Sequence, residues 1–269
     1  MVENKRDLLK TGTTIVGFRY KDGIIIGADT QSSSGCFPYV KVQPCEKISL
    51  FKLDSNGEPS IVIGGAGYAY ASHVLNNKIF QELLSRYERC EGLLLENLKT
   101  PEAILTFFEE FTEFFWSSGQ FRELHYPQAL FDSGFLMAVR TKYCETIIGS
   151  MGFFPEFQTE LTGGTLGLAK LPFTEDYKSP IFTIGSGSIF AGTALKQIDR
   201  VKNLNSQNLS EAKQSIKSAL RASCSADYAS QVNLIDKTIR ISTISSEGVK
   251  LFSQKITQPQ YSQELKFNN

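Results

Sequence analysis

Thr13 is the residue of this 269-residue chain whose setting most invites chemistry. A hydroxyl is a weak nucleophile and needs a base. A cut after Gly12 would give the threonine one in its own α-amine, which titrates at about 8 and is partly neutral at cytosolic pH. Gly12 is the small, flexible residue that such a cut asks for. A histidine-based device is poorly supplied, since the chain holds two histidines, His73 and His125. The five cysteines, Cys36, Cys45, Cys90, Cys144 and Cys224, are scattered and form no CxxC pair. They read as reduced thiols in a cytosolic setting, not as a zinc site or a disulfide frame. No metal and no cofactor is expected. The run Gly64-Gly65-Ala66-Gly67 lacks the lysine of a P-loop and the full dinucleotide fingerprint, so a phosphate cradle is weakly supported. Against all this, Thr-Thr-Ile-Val at 13–16 is also how an ordinary β-strand begins.

The elements that would position Thr13 can be read from apolar periodicity. Thr13 to Tyr20, a Lys21-Asp22-Gly23 turn and the apolar run Ile24 to Ala28 predict a hairpin whose second strand is covered on both faces. Ser32 to Pro44 reads as a loop, and strands resume at Lys47–Lys52 and Ile61–Gly64. Two helices are expected next, one through Val74, Ile79, Leu83 and Leu84, the other from Pro101 through Phe107, Phe108, Phe111, Phe114 and Phe115 to Gly119. That aromatic stripe is read as helix packing and not as a ligand site. Strands at Gly134–Arg140, Cys144–Met151 and Ile181–Ile184 precede a third helix after Gly185-Ser186-Gly187-Ser188. A fourth is expected near Ser210 as N-cap, and strands around Val232–Ser242 and Val249–Phe252 close the chain. Two facing antiparallel sheets with a helix pair outside each would bury all these apolar sides, giving an α+β, four-layer αββα sandwich in one domain. Net charge is zero, from 28 basic and 28 acidic residues, which favours neither nucleic acid nor an anionic membrane as partner. No apolar run approaches the roughly 18 residues of a membrane span, and the first residues lack a signal-peptide core.

The stretch from Gly12 to Asp29 closely resembles the first hairpin of the catalytic β-subunits of the proteasome and of its bacterial relative, the HslV peptidase. The resemblance covers the Gly-Thr junction, the turn, the apolar second strand and the Gly-Ala-Asp that ends it. It implies an Ntn-hydrolase fold over residues 13–269, behind a short propeptide of residues 1–12 removed by self-cleavage between Gly12 and Thr13. It implies a threonine endopeptidase with Thr13 as nucleophile and Asp29 as its acidic partner. Lys47, in Cys45-Glu46-Lys47-Ile48, resembles the family lysine that faces the threonine and favours developing charge. Gly64, opening the glycine run, is assigned the oxyanion-hole N–H. Ser186 resembles the serine beside the threonine amine, and Asp227 and Ser230 resemble the family's Asp-x-x-Ser. The glycine pair that follows that serine in the family is absent here.

The same alignment places Ser32, Cys45, Ser49, Val62, Gly64 and Ala66 around a substrate pocket, with Ser33 aligning the peptide as an added strand. None of these is charged, so cleavage after apolar residues is expected. Implied partners are other subunits of a homo- or hetero-oligomeric ring, unfolded polypeptide substrates, and a regulatory cap or ATPase. The implied location is cytoplasmic, and also nuclear in a eukaryote. The alternative from another class is a non-catalytic ring subunit, which the altered region after Asp227 favours. An Ntn amidase acting on a small molecule ranks last, because such enzymes usually begin with cysteine or serine.

Overall fold

A computed structural model describes residues 10–11, 13–34, 41–52, 59–68, 134–140, 146–152, 181–227 and 238–256. The predicted helices at 74–84 and 101–119 lie outside the described residues, as do Gly12 and Ser230.

The first elements are β1 (Lys10–Thr11), β2 (Ile15–Tyr20) and β3 (Gly23–Ala28), followed by β4 (Gln31–Ser34), β5 (Lys41–Pro44), β6 (Ile48–Lys52) and β7 (Pro59–Tyr68). Then come β8 (Gly134–Arg140), β9 (Thr146–Gly152), β10 (Phe182–Ile184), helix α1 (Ser188–Lys202), helix α2 (Leu209–Ala226), β11 (Thr238–Ser245) and β12 (Gly248–Lys255). Among the described residues, two five-stranded antiparallel sheets result. One runs β10-β2-β3-β11-β12; the other runs β1-β7-β8-β9 with β6 also paired to β7.

β2 and β3 show why the sheets stack. Successive side chains of a strand point to opposite faces. Ile15, Ile24, Ile26 and Ala28 therefore meet Ile48, Val62, Ala66, Leu136 and Ala138 of the other sheet in one buried cluster. Val16, Phe18 and Ile25 turn the other way and pack beneath Ala191, Leu195, Ile216, Ala219 and Leu220 of the two helices. The described residues thus form three layers, sheet on sheet with a helical pair outside one of them.

Three expectations need correction. The Ser32–Pro44 loop contains the two-stranded β4–β5 hairpin, with Ser32 opposite Gln43 and Ser33 opposite Val42. Its polar Gln-Ser-Ser-Ser sequence has little of the β-branched, apolar character that marks a strand. β7 does not end at Gly64 but continues to Tyr68, so the glycine run lies inside a strand. Helix α2 is capped by Asn208 and not Ser210. The Asn208 side chain accepts the Glu211 N–H at 3.1 Å, and the Glu211 carboxylate accepts the Asn208 N–H at 3.0 Å. This reciprocal capping box starts the helix one residue before Ser210.

Candidate active site

Thr13 lies just ahead of β2 and is 1% exposed. Its backbone N–H donates to Ser186 Oγ at 3.3 Å, and its carbonyl accepts the Gly187 N–H at 3.4 Å. The turn that delivers both groups links β10 to α1, and glycine is needed there. Gly185 has φ +94°, in the region open mainly to glycine, and a Cβ on it would collide with the Thr13 carbonyl oxygen. The Ser186 hydroxyl donates to Asp227 Oδ2 at 2.5 Å, leaving its lone pairs to accept from Thr13. Asp227 is the C-cap of α2, and its own N–H is held by the Ser223 carbonyl at 2.8 Å.

On the other side stands a buried ion pair. Asp29 follows β3 directly. It receives the Thr14 N–H on Oδ1 at 2.8 Å and the Lys47 ammonium on Oδ2 at 2.8 Å. Its own N–H returns to the Thr14 carbonyl at 3.2 Å. The Lys47 side chain is 3% exposed and that of Asp29 0%. Burial pushes the Asp29 carboxyl up to about 6; the Lys47 ammonium and the Thr14 N–H oppose that shift, and the Asp227 charge adds a smaller upward push. At neutral pH Asp29 is ionised and holds its lysine. Burial likewise pushes the Cys45 thiol up, against the pull of Lys47. The carboxylate–ammonium pair is therefore bonded to the peptide group one residue past Thr13, while Ser186 and Asp227 hold Thr13 itself.

The chain ahead of Thr13 is also placed. In β1, Thr11 lies opposite Gly67 and Lys10 opposite Tyr68 of β7. β6 occupies the same stretch of edge just before it, with Ile48 opposite Gly64 and the Gly65 N–H bonded to the Lys47 carbonyl at 3.0 Å. β1 thus takes over where β6 leaves off, and it also lies against β4.

This register revises two assignments. Hydrogen-bonding directions alternate along an antiparallel strand. Gly65 turns its N–H to the β6 edge, so Gly64 turns its own toward β8, where it pairs with Leu136. Gly64 therefore cannot aim an N–H at Thr13; Gly67, two residues past Gly65, faces the edge that β1 occupies. A Cβ on Gly64 would lie 2.8 Å from Ile15 Cγ2, which shows its other face to be inter-sheet core. Val62 and Ala66 share that face and are 1% and 3% exposed, so they line the core and not a pocket. Cys45 and Ser49 are half-buried, two residues either side of Lys47, with Ser49 on β6 and Cys45 just ahead of it. Ser32 and Ser33 lie on β4, whose backbone flanks β1.

Sequence reasoning missed Thr14, Ser223, Gly187 and Gly67. Thr14 Oγ1 lies 2.5 Å from Ser223 Oγ, 209 positions away in the chain. No spacing rule could have joined them. Among the described residues no group of three or more His, Cys, Asp or Glu could hold a metal ion.

Comparison with known proteins points to one family. A family model for the proteasome subunit matches residues 9–69. Proteasome subunit beta type-7-A and type-7-B of Arabidopsis thaliana are each 42% identical over 81 residues, covering 30% of this chain and 27% of the relative. Proteasome subunit beta type-7 of Dictyostelium discoideum is 51% identical over 43 residues, 16% of this chain and 15% of the relative. The chain thus spans about a quarter or less of the length of these curated relatives. The matched segment contains Thr13, Asp29, Lys47 and Gly67.

Proposed function

We propose that this chain, a member of the proteasome β-type family, is a threonine-type endopeptidase subunit of a proteasome-like ring, armed by self-cleavage between Gly12 and Thr13. The observation that carries the reading is the double grip on residues 13 and 14, Ser186 and Asp227 on one side and Asp29 and Lys47 on the other. The Thr13 hydroxyl attacks the Gly12 carbonyl carbon and takes over the acyl group as the Gly12–Thr13 C–N bond breaks. The nitrogen gains a proton and becomes the free α-amine, and water then hydrolyses the ester to release residues up to Gly12. In each later turnover that amine takes the hydroxyl proton as Thr13 attacks a substrate carbonyl. The buried ammonium of Lys47 steadies the negative charge that develops, and the edge-facing N–H of Gly67, in place of Gly64, donates to the oxyanion.

Substrate joins the Gly67 edge of β7 as an added strand, in the position β1 holds before the cut, with the β4 backbone at Ser32 and Ser33 along its far side. Its side chain beside the nucleophile faces Cys45, Ser49 and the bare Gly65 opposite Lys47. No partner for a buried charge stands among these residues, so apolar residues are preferred before the scissile bond. The four-layer αββα sandwich expected from the sequence is the fold this reading assigns to the chain. Other ring subunits are the expected partners, with unfolded polypeptide as substrate and a cap or ATPase feeding it. A non-catalytic ring subunit is the second reading, favoured by the missing glycine pair after Ser230.

Intact mass together with a fluorogenic peptide panel tests the proposal. Wild-type chain should begin at Thr13 and cut faster after Leu than after Arg or Asp; Thr13→Ala should stay uncut and inactive. Active wild-type protein that still bears residues 1–12 would overturn it, and an uncut, inactive wild-type chain within an assembled ring would establish the structural alternative.

A further inference from the structure

Once the bond to Gly12 is gone, Thr13 hangs from the fold by its peptide bond to Thr14 and by its contacts with the Gly185–Gly187 turn. How firmly Thr14 is fixed then governs where the nucleophile sits. Its backbone is held by Asp29 at both ends, N–H to Oδ1 at 2.8 Å and carbonyl from the Asp29 N–H at 3.2 Å. Its side chain is gripped separately. Thr14 and Ser223 are both 0% exposed, and their hydroxyls meet at 2.5 Å. Gly187 closes the same junction, since a Cβ on it would collide with Ser223 Oγ and Thr14 Oγ1 together. Three elements converge there: the start of β2, the N-terminus of α1 and the last turn of α2.

Ser223 and Asp227 lie four residues apart on α2, one helical turn, so both address the same end of the molecule. Asp227 reaches Thr13 through Ser186; Ser223 reaches it through Thr14. On the premise that Thr13 is the nucleophile, we propose that Ser223 is a positioning residue for the reaction. Its hydroxyl locks the Thr14 side chain and thereby fixes the height and tilt of the Thr13 α-amine and hydroxyl over the substrate carbonyl. A buried hydroxyl pair suits this task, because removing either hydroxyl takes away a contact that water cannot readily replace there. A misplacement on the order of 1 Å costs about a hundredfold in rate.

The test is a double-mutant cycle on the assembled particle, read by steady-state peptide hydrolysis and by the amount of processed chain. Ser223→Ala and Thr14→Val should each lower kcat about ten- to a hundredfold with KM nearly unchanged. The double variant, which removes the same contact from both sides, should be no worse than the worse single variant. Equal kcat in Ser223→Ala and wild type, or losses that multiply across the two sites, would overturn the inference. So would a fall matched by an equal rise in KM, since that marks a general loosening of the cleft. Thr13→Ala separates this result from its premise: if that variant keeps peptidase activity, the threonine reading itself has failed, whatever Ser223 does.

Discussion

Replacing Lys47 by Met keeps most of the side-chain length and removes the one charge bonded to Asp29 Oδ2 at 2.8 Å. A buried carboxylate left without its cation typically costs about 3 to 5 kcal/mol. For a chain of this length each kcal/mol moves the melting temperature by about 2 °C, so at pH 8 the variant should melt roughly 6 to 10 °C below wild type. The loss should depend on pH in a defined direction. The Asp29 carboxyl is already raised to about 6 by burial, so its contribution to stability is fullest below about 4 and declines as pH rises through 6. Lys47 opposes that upward shift; without it Asp29 stays protonated to higher pH, and the decline continues in the variant after it has levelled off in wild type. The gap between the two proteins should therefore widen as pH rises above 6. Thermal melts at pH 5.5, 7 and 8 read it directly. Adding Asp29→Asn to Lys47→Met should flatten the profile. A gap of equal size at pH 5.5 and 8 would refute the reasoning, because the lysine would then act through packing and not through charge.

Peptidase activity should have an acidic limb near the Asp29 value of about 6, falling as pH drops, because protonated Asp29 releases Lys47; a rate profile checks it. The limb should shift in Asp227→Asn toward lower pH, since the Asp227 charge helps raise Asp29. Gly185→Ala, forced at φ +94° against the Thr13 carbonyl, should cost at least about 1 kcal/mol in a urea titration and leave much of the chain uncut by intact mass. Val62→Arg should cripple folding instead of redirecting cleavage, because Val62 is packed between the sheets; soluble yield and the melting curve decide this.

The β2–β3 hairpin was legible because its information is local: β-branched and apolar residues on both arms, and a Lys-Asp-Gly turn between them. Thr13, Asp29, Lys47, Ser186 and Asp227 were found by motif, and the structure brings all five into one bonded group. What motif matching could not supply is register. Whether Gly64 or Gly67 offers its N–H to the edge, and whether Val62 looks into a pocket or into core, depends on which neighbour each residue of β7 faces. A strand's own sequence leaves that open, because both faces of β7 are buried: Ile61 and Ile63 on one side, Val62 and Ala66 on the other. The Thr14–Ser223 pair escaped for a different reason, since two small polar residues become a site only when α2 is laid against the start of β2.

If Thr13 is the nucleophile proposed above, the seat of β1 on β7 bears on the order in which the molecule becomes dangerous to other proteins. An unpaired sheet edge is sticky, and an exposed nucleophile beside it is destructive. With Lys10 and Thr11 laid along Gly67 and Tyr68, both hazards are masked by the same short strand. Thr13 has no free amine while that strand is joined to it, and the edge accepts no stranger while the strand stays. On that proposal, one bond would act as a safety catch for two functions at once. A fragment that is cut but slow to diffuse away would still guard the opening, so arming would be timed by the departure of a peptide as well as by the chemistry that frees it.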